Sequence, residues 1–213
     1  MKKVLIMLTA AFAIFTLDAK VFVRRALVCG EAENFRVAVK RAEDFNCRPI
    51  EGGKVKVECD GKTLKFVLDM IDSDIFNEAE KDQGNLSSSG DSVTILLKSE
   101  KDTWLWEFIV SPNGKRSCFL HPGAGRMFYP ELKEKPGFSV KNAITQGNWH
   151  CEVTIPQDLF KAKGLSLNAK DQWKVMIVRR NYSRFLTEKE TSCYPQYPGI
   201  ASNPDYFADL IIK

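Results

Sequence analysis

Apolar and polar residues alternate along the chain after residue 50. Val55 and Val57 are flanked by lysine and glutamate, and the same alternation runs from Leu64 to Met70. Because successive side chains of a β-strand point to opposite faces, this period of two predicts strands with one buried face. The pair Asp60-Gly61 separates the two runs and is typical of a hairpin turn. The sequence therefore predicts an antiparallel hairpin at this point.

Similar short runs predict strands over residues 35–41, 92–98, 104–110, 116–120, 149–155, 173–180 and 206–212. Helical periodicity is scarce, and its best candidate is one or two turns over residues 157–162, directly after Pro156. Two long loops are expected, at residues 73–89 and 122–147. Many short strands with so little helix favour an all-β fold, in which two antiparallel sheets pack face to face with jelly-roll or immunoglobulin-like layering.

The first nineteen residues have the pattern of an export signal. Two lysines precede an apolar run at residues 4–17, and Ala19 supplies a small residue at the expected cleavage point. We therefore expect a signal peptide at residues 1–19 and one domain at residues 20–213, secreted, periplasmic or at the cell surface. Leu17 is larger than the residue preferred there, so a retained start is the alternative. No later segment is long and apolar enough to span a bilayer.

The charge pattern predicts no nucleic-acid partner, because the formal net charge is only +4 and the basic residues are interspersed with acidic ones. The six cysteines, an even number in a chain with an export signal, predict at least one disulfide, whose connectivity the spacing leaves open. With no CxxC motif and only two histidines, the sequence has no zinc signature.

Three blocks of sequence carry a resemblance to a known family. They are Asp72-Ser73-Asp74-Ile75 with Gly90-Asp91-Ser92-Val93, Trp106-Glu107-Phe108 and Ser111-Pro112-Asn113-Gly114; then Trp149-His150-Cys151-Glu152-Val153-Thr154-Ile155-Pro156; then Trp173 through Arg179 to Tyr182, Ser192-Cys193-Tyr194-Pro195 and the last strand. In this order they resemble the family 9 carbohydrate-binding modules, especially their single-domain relatives. The resemblance covers the chain from residue 35 onward. It implies a β-sandwich that binds a mono- or oligosaccharide without catalysis.

The resemblance also implies that two aromatic rings sandwich the sugar. The position near the C-terminus corresponds to Tyr194, with Tyr197 close by, and the neighbouring prolines predict a loop outside the core. The other ring is expected in the polar loop at residues 77–89, which contains no aromatic residue. Phe76 or Phe128 is the candidate replacement.

Polar groups complete the expected sugar site, because carboxylates and guanidinium groups can engage adjacent hydroxyls. Glu107 alternates with Trp106 and Phe108, so it faces away from the core, and the resemblance gives it a ligand-facing role. Arg179, in preference to Arg180, corresponds to the strand-end arginine. Asp91 matches the family's Gly-Asp pair, whereas Thr94 stands where the family has a carboxylate. Trp149, Trp173 and Ile155 are expected in the core.

Calcium is a weaker candidate ligand. Asp72 and Asp74, near Asp69, could supply oxygen ligands, but the spacing lacks the glycine and terminal glutamate of an EF-hand. Aspartates that form turns are the simpler interpretation, and no cofactor is required.

The sequence thus favours a monomeric, non-catalytic carbohydrate-binding protein, with three alternatives. The first is a structural or adhesion sandwich without sugar affinity, which the missing loop aromatic favours. The second is a glycoside hydrolase acting through two of the carboxylates of Glu107, Glu152 and Asp91. The third is a haem module with His121, His150 or a methionine as axial ligand.

Overall fold

The structure is a computed structural model that describes residues 25–39, 44, 46–122, 127–128, 136–197 and 201–213. The expected signal peptide and most of the first half of the loop at residues 122–147 lie outside the described residues. Within the described part of the chain, no helix has the length and apolar character needed to cross a membrane.

The described residues form fourteen strands and very little helix. The strands are β1 (Ala26–Val28), β2 (Ala32–Asn34), β3 (Arg36–Val37), β4 (Gly53–Cys59), β5 (Thr63–Ile71), β6 (Ser92–Ser99), β7 (Leu105–Val110), β8 (Arg116–His121), β9 (Met127–Phe128), β10 (Ser139–Thr145), β11 (Asn148–Pro156), β12 (Trp173–Asn181), β13 (Glu190–Tyr194) and β14 (Ala208–Ile211). The helix α1 (Asp158–Lys161) lies within the predicted helical segment. Three short 3-10 turns occupy Leu86–Ser88, Ala169–Asp171 and Pro204–Tyr206.

These strands form two sheets, which confirms the expected β-sandwich. The large sheet has nine strands, with β1-β14-β12-β6-β7-β8-β9 in spatial order and β13 and β3 joined beside β12. The small sheet has five strands, ordered β10-β11-β5-β4-β2. Neighbouring strands are antiparallel except for the parallel pair β1 and β14.

The core lies between the two sheets and follows the alternation of the sequence. Trp149 and Ile155 face inward from the small sheet, and Trp173 faces inward from the large sheet, all at most 2% exposed. These three core predictions are confirmed. Aromatic rings meet edge to face at the centre, where the centroids of Trp106 and Phe160 are 5.3 Å apart with an interplanar angle of 86°. This geometry is the favourable one for paired rings.

The predicted hairpin joins β4 to β5 and is confirmed in detail. The Asp60 carboxylate accepts hydrogen bonds from the backbone N–H groups of Lys62 and Thr63, at 2.8 and 2.6 Å. Gly61 has a φ of +77°, a conformation that favours glycine. The Asp-Gly pair therefore sets the register that turns Val55, Val57 and their partners on β5 toward the core.

The sequence patterns misplaced two segments. Residues 139–145, expected within a loop, form the edge strand β10, which pairs with β11 and leaves most of its side chains exposed. An edge strand of this kind buries too few residues to produce a clear hydrophobic alternation. Of residues 35–41, expected as one strand, the described residues 35–39 contain only the two-residue strand β3. Phe35 separates β2 of the small sheet from β3 of the large sheet.

The structure forms no disulfide among the described cysteines, so it gives the expected disulfide no support. Cys118 on β8 and Cys151 on β11 are buried on the inner faces of opposite sheets, and Cys193 on β13 belongs to an apolar cluster on the outer face of the large sheet. Burial raises the pKa of Cys151 and of Cys193 to about 12. These three cysteines therefore act as small buried apolar residues.

Tyr194 also differs from its prediction. It ends strand β13, is 1% exposed and packs in the core between the sheets, whereas the sequence placed it in a loop outside the core. Its hydroxyl donates a hydrogen bond to the carbonyl oxygen of Ala26 at 2.8 Å, and burial raises its pKa above the ordinary tyrosine value. A ring in this position has no face available to stack on a sugar.

We therefore predict that Tyr194 acts on stability. Tyr194→Phe should lower the free energy of unfolding by about 1 kcal/mol, because it removes one buried hydrogen bond. Tyr194→Ala should lower it by about 3 to 5 kcal/mol, because it leaves a cavity. Urea denaturation measures both, with Phe185→Ala as the control, since that ring is 72% exposed. A change below about 0.5 kcal/mol for Tyr194→Ala would return the residue to the surface.

Candidate functional site

A pocket of about 340 Å³ lies on the outer face of the large sheet. Its described lining residues come from four adjacent strands and from the segment after β13: Thr94, Leu96, Glu107, His121, Val178, Arg180, Tyr197, Ala201 and Ser202. Small-molecule sites typically occupy a few hundred cubic ångströms and combine apolar walls with a few polar groups. The pocket has this size and this mixture.

Strand alternation positions the pocket side chains. On β6, Val93 and Ile95 point into the core, so the side chain of Thr94 points outward. On β7, Trp106 and Phe108 are in the core and Glu107 faces out, which confirms the predicted orientation of that carboxylate. On these strands, one set of alternate side chains packs in the core and the other set lines the pocket.

Glu107 and His121 form a polar pair within the pocket. Their Oε2 and Nε2 atoms are 2.9 Å apart, and the two side chains are 10% and 22% exposed. An ionised carboxylate only accepts hydrogen bonds, so the imidazole N–H donates in this contact. The histidine was considered in the sequence only as a haem ligand, and its part in the pocket was missed. The signal available was its place at the end of a strand on the same face as Glu107.

Arg180, and not Arg179, is the arginine of the pocket. Its Nη1 atom donates to the hydroxyl oxygen of Thr94 at 3.2 Å, and its side chain is half-buried. Among the described residues, no carboxylate lies within ion-pair distance of Arg180. Arg179, the arginine expected at the ligand, does not line this pocket, whereas its neighbour Arg180 does.

Arg179 points the other way and is fully buried between the sheets. Its Nη1 atom donates to the carbonyl oxygens of Glu51 and Gly52, at 2.6 and 3.1 Å. Its Nη2 atom donates to the carbonyl oxygen of Ile71 at 2.7 Å and to the Asp72 carboxylate at 3.1 Å. A buried guanidinium needs such partners, and here it uses them to hold β12 against the ends of two strands of the small sheet.

Asp91 is also structural, in contrast to its expected role at the sugar. It is fully buried, and its two oxygens accept hydrogen bonds from the backbone N–H groups of Phe76 and Tyr182, each at 2.7 Å. Gly90 has a φ of +135°, and a Cβ there would lie 2.6 Å from the carbonyl oxygen of Phe76. The Gly-Asp pair therefore fastens the polar loop to the end of β12. Burial, helped by the nearby Asp72 charge, raises the pKa of Asp91 to about 7.

Tyr197 is the one tyrosine in the described pocket lining, which contains no phenylalanine or tryptophan. It is 6% exposed, and burial raises the pKa of its hydroxyl. Phe76, considered as a replacement for the missing loop aromatic, is 38% exposed but lines a shallower depression beside Tyr182. The side chain of Phe128 lies outside the described residues.

The two aspartates considered for calcium, Asp72 and Asp74, each form an ion pair with an arginine. Asp72 pairs with Arg179, and Asp74 accepts two hydrogen bonds from the Arg184 guanidinium, at 2.8 and 2.7 Å. That pairing lowers the pKa of Asp74 to about 2. The part of the chain that the structure describes contains no group of three or more histidine, cysteine, aspartate or glutamate side chains arranged to hold a metal ion. The calcium interpretation therefore finds no support here.

The residues named for the enzyme and haem alternatives are not brought together. Glu107 lies on the outer face of the large sheet and Glu152 on the small sheet, and Asp91 is buried directly before β6, bonded to the backbone of Phe76 and Tyr182. His150 is on the small sheet, where it contacts Asp69 at 2.6 Å, whereas His121 is on β8 of the large sheet. No two of the three carboxylates share the pocket.

The fold is that of the family 9 carbohydrate-binding modules, as the sequence resemblance implied. A "putative carbohydrate-binding protein" from Bacteroides uniformis ATCC 8492 has a TM-score of 0.68 at 11% identity, over 88% of this chain and 96% of that chain. A family 9 module from Caldicellulosiruptor kristjanssonii, solved with glucose, has a TM-score of 0.58 at 13% identity, over 90% and 96%. Its complex with cellotriose gives 0.55 at 13%, over 90% and 94%. No protein-family model and no curated protein matches the sequence.

The opposite orientations of the two arginines give a matched pair of variants. Arg179→Met should lower the free energy of unfolding by about 3 to 5 kcal/mol, because it leaves Asp72 buried without its partner. Arg180→Met should lower it by about 0.5 to 1.5 kcal/mol, the worth of one hydrogen bond. Chemical denaturation measures both values. Equal losses for the two variants would contradict the assignment of Arg179 to the interior.

Asp91 predicts a dependence of stability on pH. Its pKa is about 7 in the folded protein and near 3.8 in the unfolded chain, so the folded state holds a proton that the unfolded state releases. Asp91 therefore contributes stability below pH 4 that is lost as the pH rises to about 7. We expect the unfolding free energy of the parent to fall relative to that of Asp91→Asn over this range. A difference that stays constant with pH would show that Asp91 is ionised in the fold.

Proposed function

We propose that this protein binds carbohydrate without catalysis, outside the cytoplasm, through the pocket on the outer face of the large sheet. The observation that carries the proposal is the combination of apolar and polar side chains in one pocket on this fold. Six of its nine described lining residues lie on strands, so most of its wall is held by the same hydrogen-bonded ladder that makes the sheet. Recognition by a preformed site loses less conformational entropy on binding.

The lining suits the chemistry of a pyranose. A sugar ring presents C–H groups on its faces and hydroxyls around its rim, so it needs apolar surface and planar polar groups together. Leu96, Val178 and Tyr197 supply the apolar surface. Glu107 and Arg180 supply a carboxylate and a guanidinium, each of which can engage two adjacent hydroxyls.

A binding role fits the pocket better than hydrolysis does. Glycoside hydrolysis commonly uses two carboxyl groups on either side of the scissile bond. Glu107 is the one carboxylate among the described lining residues of this pocket. We therefore assign it to ligand contact, with His121 fixing its orientation at 2.9 Å.

The proposal includes export and a monomeric state. Residues 1–19 have the pattern of a signal peptide, and an exported protein would encounter polysaccharides outside the cytoplasm.

The interaction with a sugar is expected to be weak, with dissociation constants from micromolar to millimolar, because the interface is small and wet.

One observation favours the alternative of a structural or adhesion protein. The polar loop at residues 77–89 has no aromatic residue and Tyr194 is buried, so neither member of the expected aromatic pair is available. Sugar binding would then depend on Tyr197 and the polar groups of the pocket. The two functions differ in whether any glycan binds.

The test is a variant that fills the pocket from its rim. Ser202 is exposed and lines the pocket, so Ser202→Trp should place a large ring over the opening without disturbing the core. Ser139→Trp is the matched control, because Ser139 is exposed on the edge strand of the small sheet. A panel of plant, algal, mucin and microbial glycans is screened with the parent protein by glycan array and affinity electrophoresis.

We expect a hit from the parent protein that is lost, by at least about tenfold in affinity, in Ser202→Trp and kept in Ser139→Trp. Melting temperatures of all three proteins establish that each is folded. Binding that survives Ser202→Trp would place the site elsewhere, with the depression beside Phe76 as the next candidate. No binding to any glycan would favour the structural role.

A further inference from the structure

The pocket contains a guanidinium, that of Arg180, which forms no ion pair with any carboxylate of the described residues. Arg180 makes one described hydrogen bond, from Nη1 to the Thr94 hydroxyl, and no ion pair with any described residue. Its side chain is half-buried and lies against Tyr197, whose hydroxyl experiences the Arg180 charge. A guanidinium has five N–H donors in a planar fork, so most of its donors remain available to a ligand.

Glu107 does not serve as the counter-charge. It is bonded to His121 at 2.9 Å and lies outside ion-pair distance of Arg180. The pairing of strands explains this separation, because Glu107 on β7 is opposite Leu96, whereas Arg180 on β12 is opposite Ser92. Thr94, the residue that Arg180 does reach, has a neutral side chain. The described lining therefore contains a carboxylate with a partner and a guanidinium without an acidic one.

We propose that the ligand itself supplies the missing carboxylate, and that the pocket prefers acidic sugars of the hexuronate class over neutral hexoses. The inference rests on the proposed function. A uronic acid carries a carboxylate on the same ring that presents C–H faces to Leu96, Val178 and Tyr197. Bidentate pairing of this carboxylate with Arg180 is stronger than hydrogen bonds to neutral hydroxyls, and partial burial of the arginine reduces screening by water.

The experiment compares two uronic acids with their matching hexoses, so that each pair differs only in the carboxylate at C6. Calorimetric titration at pH 7 and fixed ionic strength measures the affinities of glucuronic acid, galacturonic acid, glucose and galactose, with acetate and inorganic phosphate as anion controls. The expected result is that at least one uronic acid binds about tenfold or more tightly than its matching hexose. Acetate and phosphate should bind much more weakly, because they offer no sugar ring to the apolar wall.

A pair of variants at Thr94 tests the cause of the preference. Thr94→Glu places a carboxylate beside Arg180, so the ratio of uronate to hexose affinity should fall to about one. Thr94→Gln adds a side chain of the same size without charge, so the ratio should stay above one. Arg180→Gln removes the guanidinium and should abolish the preference. Melting temperatures identify any variant that does not fold. Thr94→Glu is compared only with Thr94→Gln.

The outcomes separate this inference from the proposed function. Hexoses that bind as well as uronates would overturn the preference and leave carbohydrate binding intact. Failure of all four sugars, together with an empty glycan panel, would overturn both. Acetate or phosphate binding as tightly as a uronate would overturn the preference, because Arg180 would then be a simple anion site.

Discussion

The buried guanidinium of Arg179 is the interaction on which the rest of this structure depends. It lies between the two sheets with no exposed surface, and it is bonded to three backbone carbonyls and to Asp72. A charge in such a place is tolerated only where most of its donors have partners, because the loss of hydration would otherwise outweigh any gain from packing. Here both Nη groups are bonded and Nε has no partner among the described residues. The carbonyls come from the segment before β4 and the end of β5. The C-terminal end of β12 is therefore tied to one end of the small sheet.

The hydrogen bonds of Arg179 also determine which arginine lines the candidate site. Adjacent residues of a strand face opposite ways, so an arginine fixed inward at 179 places its neighbour outward at 180. Asp91 reinforces the arrangement, since it links the polar loop to the N–H group of Tyr182 just beyond the same strand. The outward direction of the Arg180 side chain is thus determined by the hydrogen bonds of Arg179 on the opposite face of the sheet. A pocket built in this way needs no flexible loop to hold its arginine.

The sequence predicted side-chain orientation where one face of a strand is solvated, but it failed to do so on β12 and β13, where both faces are covered. On β4, β5 and β11 the alternation predicted the strands and the core tryptophan correctly. On β12 residues 175–178 are all apolar and all buried, because a second apolar cluster with Tyr197 and Phe207 covers the outer face. No local pattern then shows which of the two following arginines turns inward, and the carbonyls that decide it are over 100 residues away in the chain. Tyr194 was misplaced for the same reason, since β13 adjoins this strand and is covered on both sides.

The burial of Tyr194 changes how a sugar would be recognised on this fold. A site with two stacked rings can take much of its affinity from apolar contact, whereas the described lining here offers one tyrosine, Tyr197, and no phenylalanine or tryptophan. Affinity and selectivity must then come largely from polar groups. In a partly enclosed pocket, charge pairs are stronger than at an open surface, because the effective dielectric constant is lower. A guanidinium whose described contact is a threonine hydroxyl is the group best placed to use that advantage, so the charge of the ligand should matter more here than the area of ring it can stack.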